Sequence, residues 1–242
     1  MKNTVFTIAE NKPLTAAVYE MRLAGDTEGI LPGQFVNVAV PGFFLRRPIS
    51  VCDCAPGALT LVYKTVGAGT EAMASLKAGE TLDLLTNLGN GYDLTKAGAS
   101  PLLIGGGVGV PPLYYLAKTL VRSGVIPTVI LGFNTKEEIF YENEFGALGC
   151  RVAVTTVDGS YGVKGFVTDA FPETYSYVYA CGPLPMLKAV YRKPGCGEFS
   201  LEERMGCGFG ACMGCSIQTK DGPKRVCKEG PVFKKEALLW EN

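Results

Sequence analysis

The chain has 242 residues, Lys+Arg and Asp+Glu balance at 23 each, and 47% of the residues are hydrophobic. That length suits two domains, or two and an appended module, and the neutral balance excludes a basic field for nucleic acid. There is no histidine, which excludes Ser-His-Asp catalysis, His-ligated zinc and a Rieske cluster.

The N-terminal stretch MKNTVFTIAENK lacks the long apolar run of a signal peptide, so a cytoplasmic protein is expected. Residues 1–96 read as short strands with turn signals at Pro32-Gly33, Pro41-Gly42 and Pro56-Gly57, the pattern of a small antiparallel barrel. The run Phe35–Val40 alternates only partly and reads as covered on both faces. Arg47, Pro48, Ile49 and Ser50 stand between two strand signals. An arginine there can pair with phosphate and a serine hydroxyl can reach a ring atom of a bound cofactor. Taken bare, the plainer reading, a solvated basic pair at a strand edge, is the stronger. Val62, Tyr63 and Lys64 run into Gly67-Ala68-Gly69-Thr70, which is either an anion-binding turn opening a short helix near Thr70–Leu76 or simply a turn.

Residues 97–117 carry no charge, but five glycines and three prolines among them argue for strand, turn and helix start rather than a membrane span. Leu102–Ile104 reads as a buried strand and Leu113–Arg122 as a helix. Between them lies Gly107-Val108-Gly109-Val110-Pro111-Pro112. Glycines there let backbone N–H groups approach a pyrophosphate at a helix N-terminus. Pro112 replaces the third glycine of the usual fingerprint, so a tight strand-to-helix turn explains the motif equally well. Further strands at Thr128–Gly132, Cys150–Val157 and Tyr177–Ala180 complete the alternation expected of a doubly wound parallel α/β sheet over residues 97–193. Cys181-Gly182-Pro183 follows the last of them, at the strand end where such sheets bind ligands. A lone cysteine there is also what an ordinary buried residue looks like.

From Lys193 onward cysteine, glycine and charge dominate, and residues 194–242 read as a third module. Of nine cysteines, four, Cys207, Cys212, Cys215 and Cys227, follow the spacing C-x4-C-x2-C-x11-C. This is the plant-type [2Fe–2S] arrangement. Gly206, Gly208, Gly210 and Gly214 let the loop wrap tightly, and Met205, Phe209 and Met213 are placed to limit water. A four-thiolate structural zinc site is the alternative, but its cysteines come as two close pairs and the fourth here has no near partner.

Arg47-Pro-Ile-Ser50, Gly107-x-Gly109-x-x-Pro112 and Cys181-Gly182-Pro183 together resemble the ferredoxin–NADP reductase superfamily, with Ile49 standing where many relatives carry tyrosine. Leu45–Ser50, Leu88–Gly91, Asp158–Ser160, Ser200–Met205 and Arg225–Phe233 are similar, nearly end to end, to the electron-transfer subunits of class 1B dihydroorotate dehydrogenases. Tyr191–Phe199 is the least similar stretch. The resemblance implies FAD at Arg47, Pro48, Ile49, Ser50, Val62, Tyr63, Lys64, Gly69 and Thr70. It implies nicotinamide binding at Gly107, Gly109 and Pro112, a catalytic Cys181, and the cluster on the four cysteines. It also implies a partner, an FMN-bearing subunit that oxidises dihydroorotate for pyrimidine synthesis, in a heterotetramer. The related alternative is a flavin and iron–sulfur subunit of a ferredoxin:NADP transhydrogenase or a sulfhydrogenase. Phe209 and Met213 are expected to touch the partner. NAD is expected over NADP because Glu137 and Glu138 follow the second strand of the sheet, although Lys136 argues the other way.

Overall fold

The computed structural model describes residues 1–240. Six strands form the N-terminal unit: β1 (Lys2–Pro13), β2 (Val18–Ala24), β3 (Phe35–Val38), β4 (Arg47–Ala55), β5 (Ala58–Lys64) and β6 (Thr81–Leu88). They close into an antiparallel barrel in the order β1-β2-β5-β4-β3-β6. Alternation drives closure: Leu82, Leu84, Thr86 and Leu88 of β6 are all buried, and the residues between them are not. Phe6, Met21, Val36, Val51, Leu61 and Tyr63 fill the interior. Strand β3 is buried at all four positions, because its outer face is covered as well. Helix α1 (Ala68–Ser75) follows β5.

The second unit contains β7 (Leu102–Gly106), α2 (Pro111–Arg122), β8 (Thr128–Phe133), α3 (Glu142–Ala147), β9 (Arg151–Thr156), β10 (Val163–Lys164), β11 (Val178–Cys181), α4 (Leu184–Tyr191) and β12 (Gly197–Ser200). The cluster segment adds a hairpin, β13 (Ser216–Thr219) and β14 (Gly222–Arg225), and then β15 (Val232–Lys234). The large sheet runs β10-β9-β8-β7-β11-β12-β15, parallel except for the antiparallel edge strand β15. The α/β sheet thus continues past residue 193: β12 pairs with β11, and Phe199 of β12 lies opposite Phe233 of β15. Four residues with every side chain buried show no period, which is why β12 carries no strand signal in the sequence.

The barrel and the sheet are pinned together through α2 and α3. Lys118 on α2 pairs with Asp53 on β4, and the Tyr115 hydroxyl donates to the Ile30 carbonyl at 3.1 Å. Tyr141, just before α3, donates to the buried Glu20 carboxylate on β2 at 2.7 Å. No helix among the described residues is long and apolar enough to cross a membrane.

Candidate functional site

A cavity of about 720 Å³ opens where barrel, sheet and cluster segment meet. The barrel contributes Phe35, Pro48, Ser50 and Lys64; the sheet contributes Gly106–Gly109, Cys181 and Gly182; the chain between β12 and the cysteine loop contributes Ser200–Glu203 and Met205. Parallel strands leave such crevices at their C-terminal ends, and β7, β8, β9, β11 and β12 all end here.

The glycine turn is shaped by close approach. A Cβ on Gly109 would lie 2.3 Å from the Cys181 carbonyl oxygen, and Gly107 adopts φ +51 with open space beside it. Backbone is therefore exposed to the cavity at Gly107 and pressed against β11 at Gly109. Pro112 does not reach the cavity: it is buried in the first turn of α2, where its missing N–H costs nothing. Cys181 lies level with Gly105 on one neighbouring strand and Ser200 on the other. Burial pushes its thiol up to about 12, against the pull of the Ser200 hydroxyl, so it is neutral at physiological pH.

On the barrel, β4 and β5 carry the other predicted residues. A Cβ on Gly69 would lie 2.2 Å from Arg47 Nε, so the guanidinium lies flat on the first turn of α1. Thr70 closes that turn, accepting from the Val66 N–H at 2.9 Å and donating to the Gly67 carbonyl at 3.0 Å. A cation beside a helix N-terminus is a setting for a phosphate. Val62 and Tyr63 point into cores, Tyr63 donating to Asn11 Oδ1 at 2.9 Å, so toward the surface they offer backbone alone. Ile49 lies opposite Val36 and packs against the barrel core, so its side chain is on the other face of β4 from the cavity-lining Pro48 and Ser50 and it offers backbone alone. Arg46, the other arginine of the motif, is structural: it pairs with Asp83 at 2.6 Å.

At the far end of the cavity Glu138 Oε2 accepts from the backbone N–H of Asn134 at 3.1 Å and from its side-chain amide at 2.9 Å. Glu138 lines the cavity; Lys136 does not, and its ammonium is largely exposed. The structure thus separates the acid and the base that conflict in the sequence.

The cysteine loop arranges its thiols as two pairs. Cys207 Sγ accepts from the N–H groups of Ala211 at 3.2 Å and Cys212 at 3.4 Å, and Cys212 Sγ accepts from the Cys207 N–H at 3.5 Å. Cys215 Sγ and Cys227 Sγ are 3.2 Å apart, both buried. Burial raises the Cys207 thiol, but the N–H groups of Cys212 and Phe209 outweigh it and bring it down to about 6, toward the thiolate a metal needs. Cys227 is pushed up to about 12 by burial and by Cys215. Among the described residues no three His, Cys, Asp or Glu side chains converge as they would on a single ion. Four thiols in two pairs supply the donor set of a [2Fe–2S] cluster, two sulfurs for each iron. Arg225 clamps the loop, donating to the Gly210 carbonyl at 2.6 Å while pairing with Glu229. Its hydrogen bonds hold the Glu229 carboxyl down to about 2. The motif Leu88–Gly91 docks the segment on the barrel: Asn90 N–H donates to the Gly230 carbonyl at 2.6 Å. A Cβ on Gly89 would lie 2.5 Å from Pro231.

Known proteins match both halves of this arrangement. The family model for the iron–sulfur cluster binding domain of dihydroorotate dehydrogenase B matches residues 202–239, and the oxidoreductase NAD-binding domain matches residues 103–192. The dihydroorotate dehydrogenase B (NAD(+)) electron transfer subunit of Geobacillus sp. (strain WCH70) is 47% identical, over 97% of each chain. The chain belongs to the family of dihydroorotate dehydrogenase B electron-transfer subunits. The Fusobacterium nucleatum member is 44% identical over 96% of this chain and 97% of its own. Among solved structures, a chain of the NADH-dependent reduced ferredoxin–NADP oxidoreductase superposes with a TM-score of 0.89 at 32% identity, over 97% of this chain and 90% of that one. A flavohemoglobin from Malassezia yamatoensis, at 17% identity and a TM-score of 0.67 over 79% of this chain and 56% of its own, shares the fold alone. Membership makes FAD, the iron–sulfur cluster and the substrate NAD the redox groups of this chain.

Several cavity residues escape a reading of the sequence. Ser200, Glu202, Glu203 and Met205 stand out as a family-like string, Ser200–Met205, but nothing in their types marks them as cavity wall. Phe35 and Pro231 look like ordinary core residues.

Proposed function

We propose that this chain takes single electrons from an FMN-bearing, dihydroorotate-oxidising subunit and delivers them, as hydride, to NAD+ in the cytoplasm. The observation that carries this reading is the shared cavity wall: Met205, two residues before Cys207, lines the same cavity as Ser50, Gly107 and Cys181. When bound, the cluster carries one electron at a time, and FAD collects two and exchanges them with nicotinamide. The chain's own residues hold and order these groups. Arg47, Gly69 and Thr70 take the flavin phosphates. Pro48, Ser50 and the backbone of Ile49 and Val62–Lys64 line the flavin, and Cys207, Cys212, Cys215 and Cys227 hold the irons. Gly107 and Gly109 admit the nicotinamide pyrophosphate, with Pro112 starting the helix behind it, and neutral Cys181 packs beside the reacting rings. Glu138 accepts from a ribose hydroxyl and repels a 2′-phosphate, which favours NAD.

The working division is residues 1–96 for flavin, 97–193 for nicotinamide and 194–242 for the cluster, the last also supplying β12 and β15 to the nicotinamide-side sheet, in a heterotetramer with the FMN subunit. Absorption of anaerobically purified protein tests the cofactors: flavin and iron–sulfur bands together are expected, and a colourless zinc protein would refute the reading. Reduction of the co-purified complex by dihydroorotate tests the partner. A second reading rests on the 32% identical structural relative: a subunit of a ferredoxin-linked NADP oxidoreductase would show the same bands but no response to dihydroorotate.

A further inference from the structure

Asn37 sits in the middle of β3 and is 1% exposed. Its amide Nδ2 donates to the Cys207 carbonyl at 3.1 Å. The fit is tight, since a Cβ on Gly208, whose φ is +77, would lie 2.3 Å from that nitrogen. The other end of the amide, Oδ1, is buried without a hydrogen-bond partner. An unpaired buried acceptor is unfavourable, and a leucine or valine would suit a strand interior better. The contact with Cys207 is the side chain's return on that cost.

Strand geometry places this contact beside the cavity assigned to the flavin. Asn37 lies opposite Pro48, and Phe35 lies opposite Ser50. Directly opposed residues share a sheet face, as do residues two apart on one strand. Phe35, Asn37, Pro48 and Ser50 therefore form one outward patch of the β3–β4 pair, and three of them line the cavity. The fourth, Asn37, holds the cysteine loop.

We propose that Asn37 is the positioning residue for electron passage between the two groups, its amide fixing the Cys207 half of the cluster against the strand pair that carries the flavin. This rests on the assignment of cluster and FAD made above. Each passage moves one electron and makes or breaks no bond. The donor and acceptor are those of the proposed reaction, dihydroorotate and NAD+.

The test uses Asn37→Asp and Asn37→Leu, which remove the donor, and Gly208→Ala, which presses on it from the loop side and leaves the barrel sequence intact. All are purified anaerobically with the catalytic subunit. Expected are a changed electron paramagnetic resonance signal of the dithionite-reduced cluster and dihydroorotate-driven flavin reduction slowed several-fold. Flavin content and NADH-driven flavin reduction stay at the wild-type level. Loss of iron in every variant overturns the proposal, because that outcome assigns Asn37 to holding the cluster and not to electron passage. A wild-type signal and rate in all three variants overturn it, as does an equal loss of NADH-driven reduction. Absence of flavin or cluster from the wild type would instead refute the functional reading itself.

Discussion

Cys181 and Cys207 show how one side-chain type is turned to two uses by its surroundings. Buried Cys181, at about 12, remains a thiol, whereas backbone N–H groups bring Cys207 to about 6. For Cys181 the folded value lies above the ordinary thiol value of 9.0. Its contribution to stability is therefore complete below pH 9 and is lost as pH rises toward 12. Cys181→Ala is expected to make unfolding less pH-dependent across that window, as read by denaturant titration, and to slow NADH-driven flavin reduction. Gly109→Ala forces a methyl against the Cys181 carbonyl. Overpacking of this kind costs about 1–3 kcal/mol. Weaker NADH binding is expected in steady-state kinetics, with iron content unchanged. Glu138→Gln keeps a hydrogen-bonding group but removes the charge that faces the cavity. The ratio of NADH to NADPH activity is expected to fall by about tenfold, the size of one charged hydrogen bond; an unchanged ratio would place nicotinamide selection elsewhere.

At the scale of elements, the clamp around the cysteine loop and the joint between barrel and sheet are separable. Arg225 and Glu229 are partly exposed, so screening by solvent leaves their pair as a local clamp on the loop more than a source of global stability. Glu229→Gln is expected to speed loss of iron to a chelator several-fold without loss of flavin. The depressed Glu229 carboxyl makes the clamp complete above its ordinary value of 4.5 and weaker as pH falls toward 2. Tyr141→Phe removes the hydroxyl that serves Glu20. A loss of about 1 kcal/mol is expected, read as a lower melting temperature at constant cofactor content. Strands β1, β2, β6 and β10, helices α3 and α4 and the hairpin carry no signal singled out in the sequence, whereas the two architectures and β3, β5, β7, β8, β9, β11, α1 and α2 were legible beforehand, because turn signals and the strand–glycine–helix order are local features of the chain. Strands β12 and β15 were not, being three or four residues long inside a segment dominated by cysteine and glycine.

Across the whole molecule, the site is legible in proportion to how local its chemistry is. The four cysteines and the glycine turn are contiguous motifs. Asn37, by contrast, is 170 positions from Cys207 and reads as one more strand residue. The cavity wall from Ser200 to Met205 likewise acquires meaning when folding lays it across the ends of the strands. Phe209 and Met213 remain about half exposed, at 43% and 53%, within the cysteine loop. Replacing both with serine is expected to weaken the complex with the catalytic subunit while sparing NADH-driven reduction of the isolated chain. Unaltered binding by calorimetry would move the interface elsewhere.

The strands β12 and β15 also decide how this chain can be re-engineered. A cut at residue 193, where composition changes, would strip two strands from the sheet and leave β11 as a raw edge, an invitation to aggregate. The transplantable unit is the excursion between Ser200 and Val232, whose two ends lie opposite each other in the ladder. A chimera that exchanges this excursion alone is expected to express as soluble protein, and one joined at residue 193 to form inclusion bodies. The iron-binding part is an insertion into the sheet, not a tail behind it.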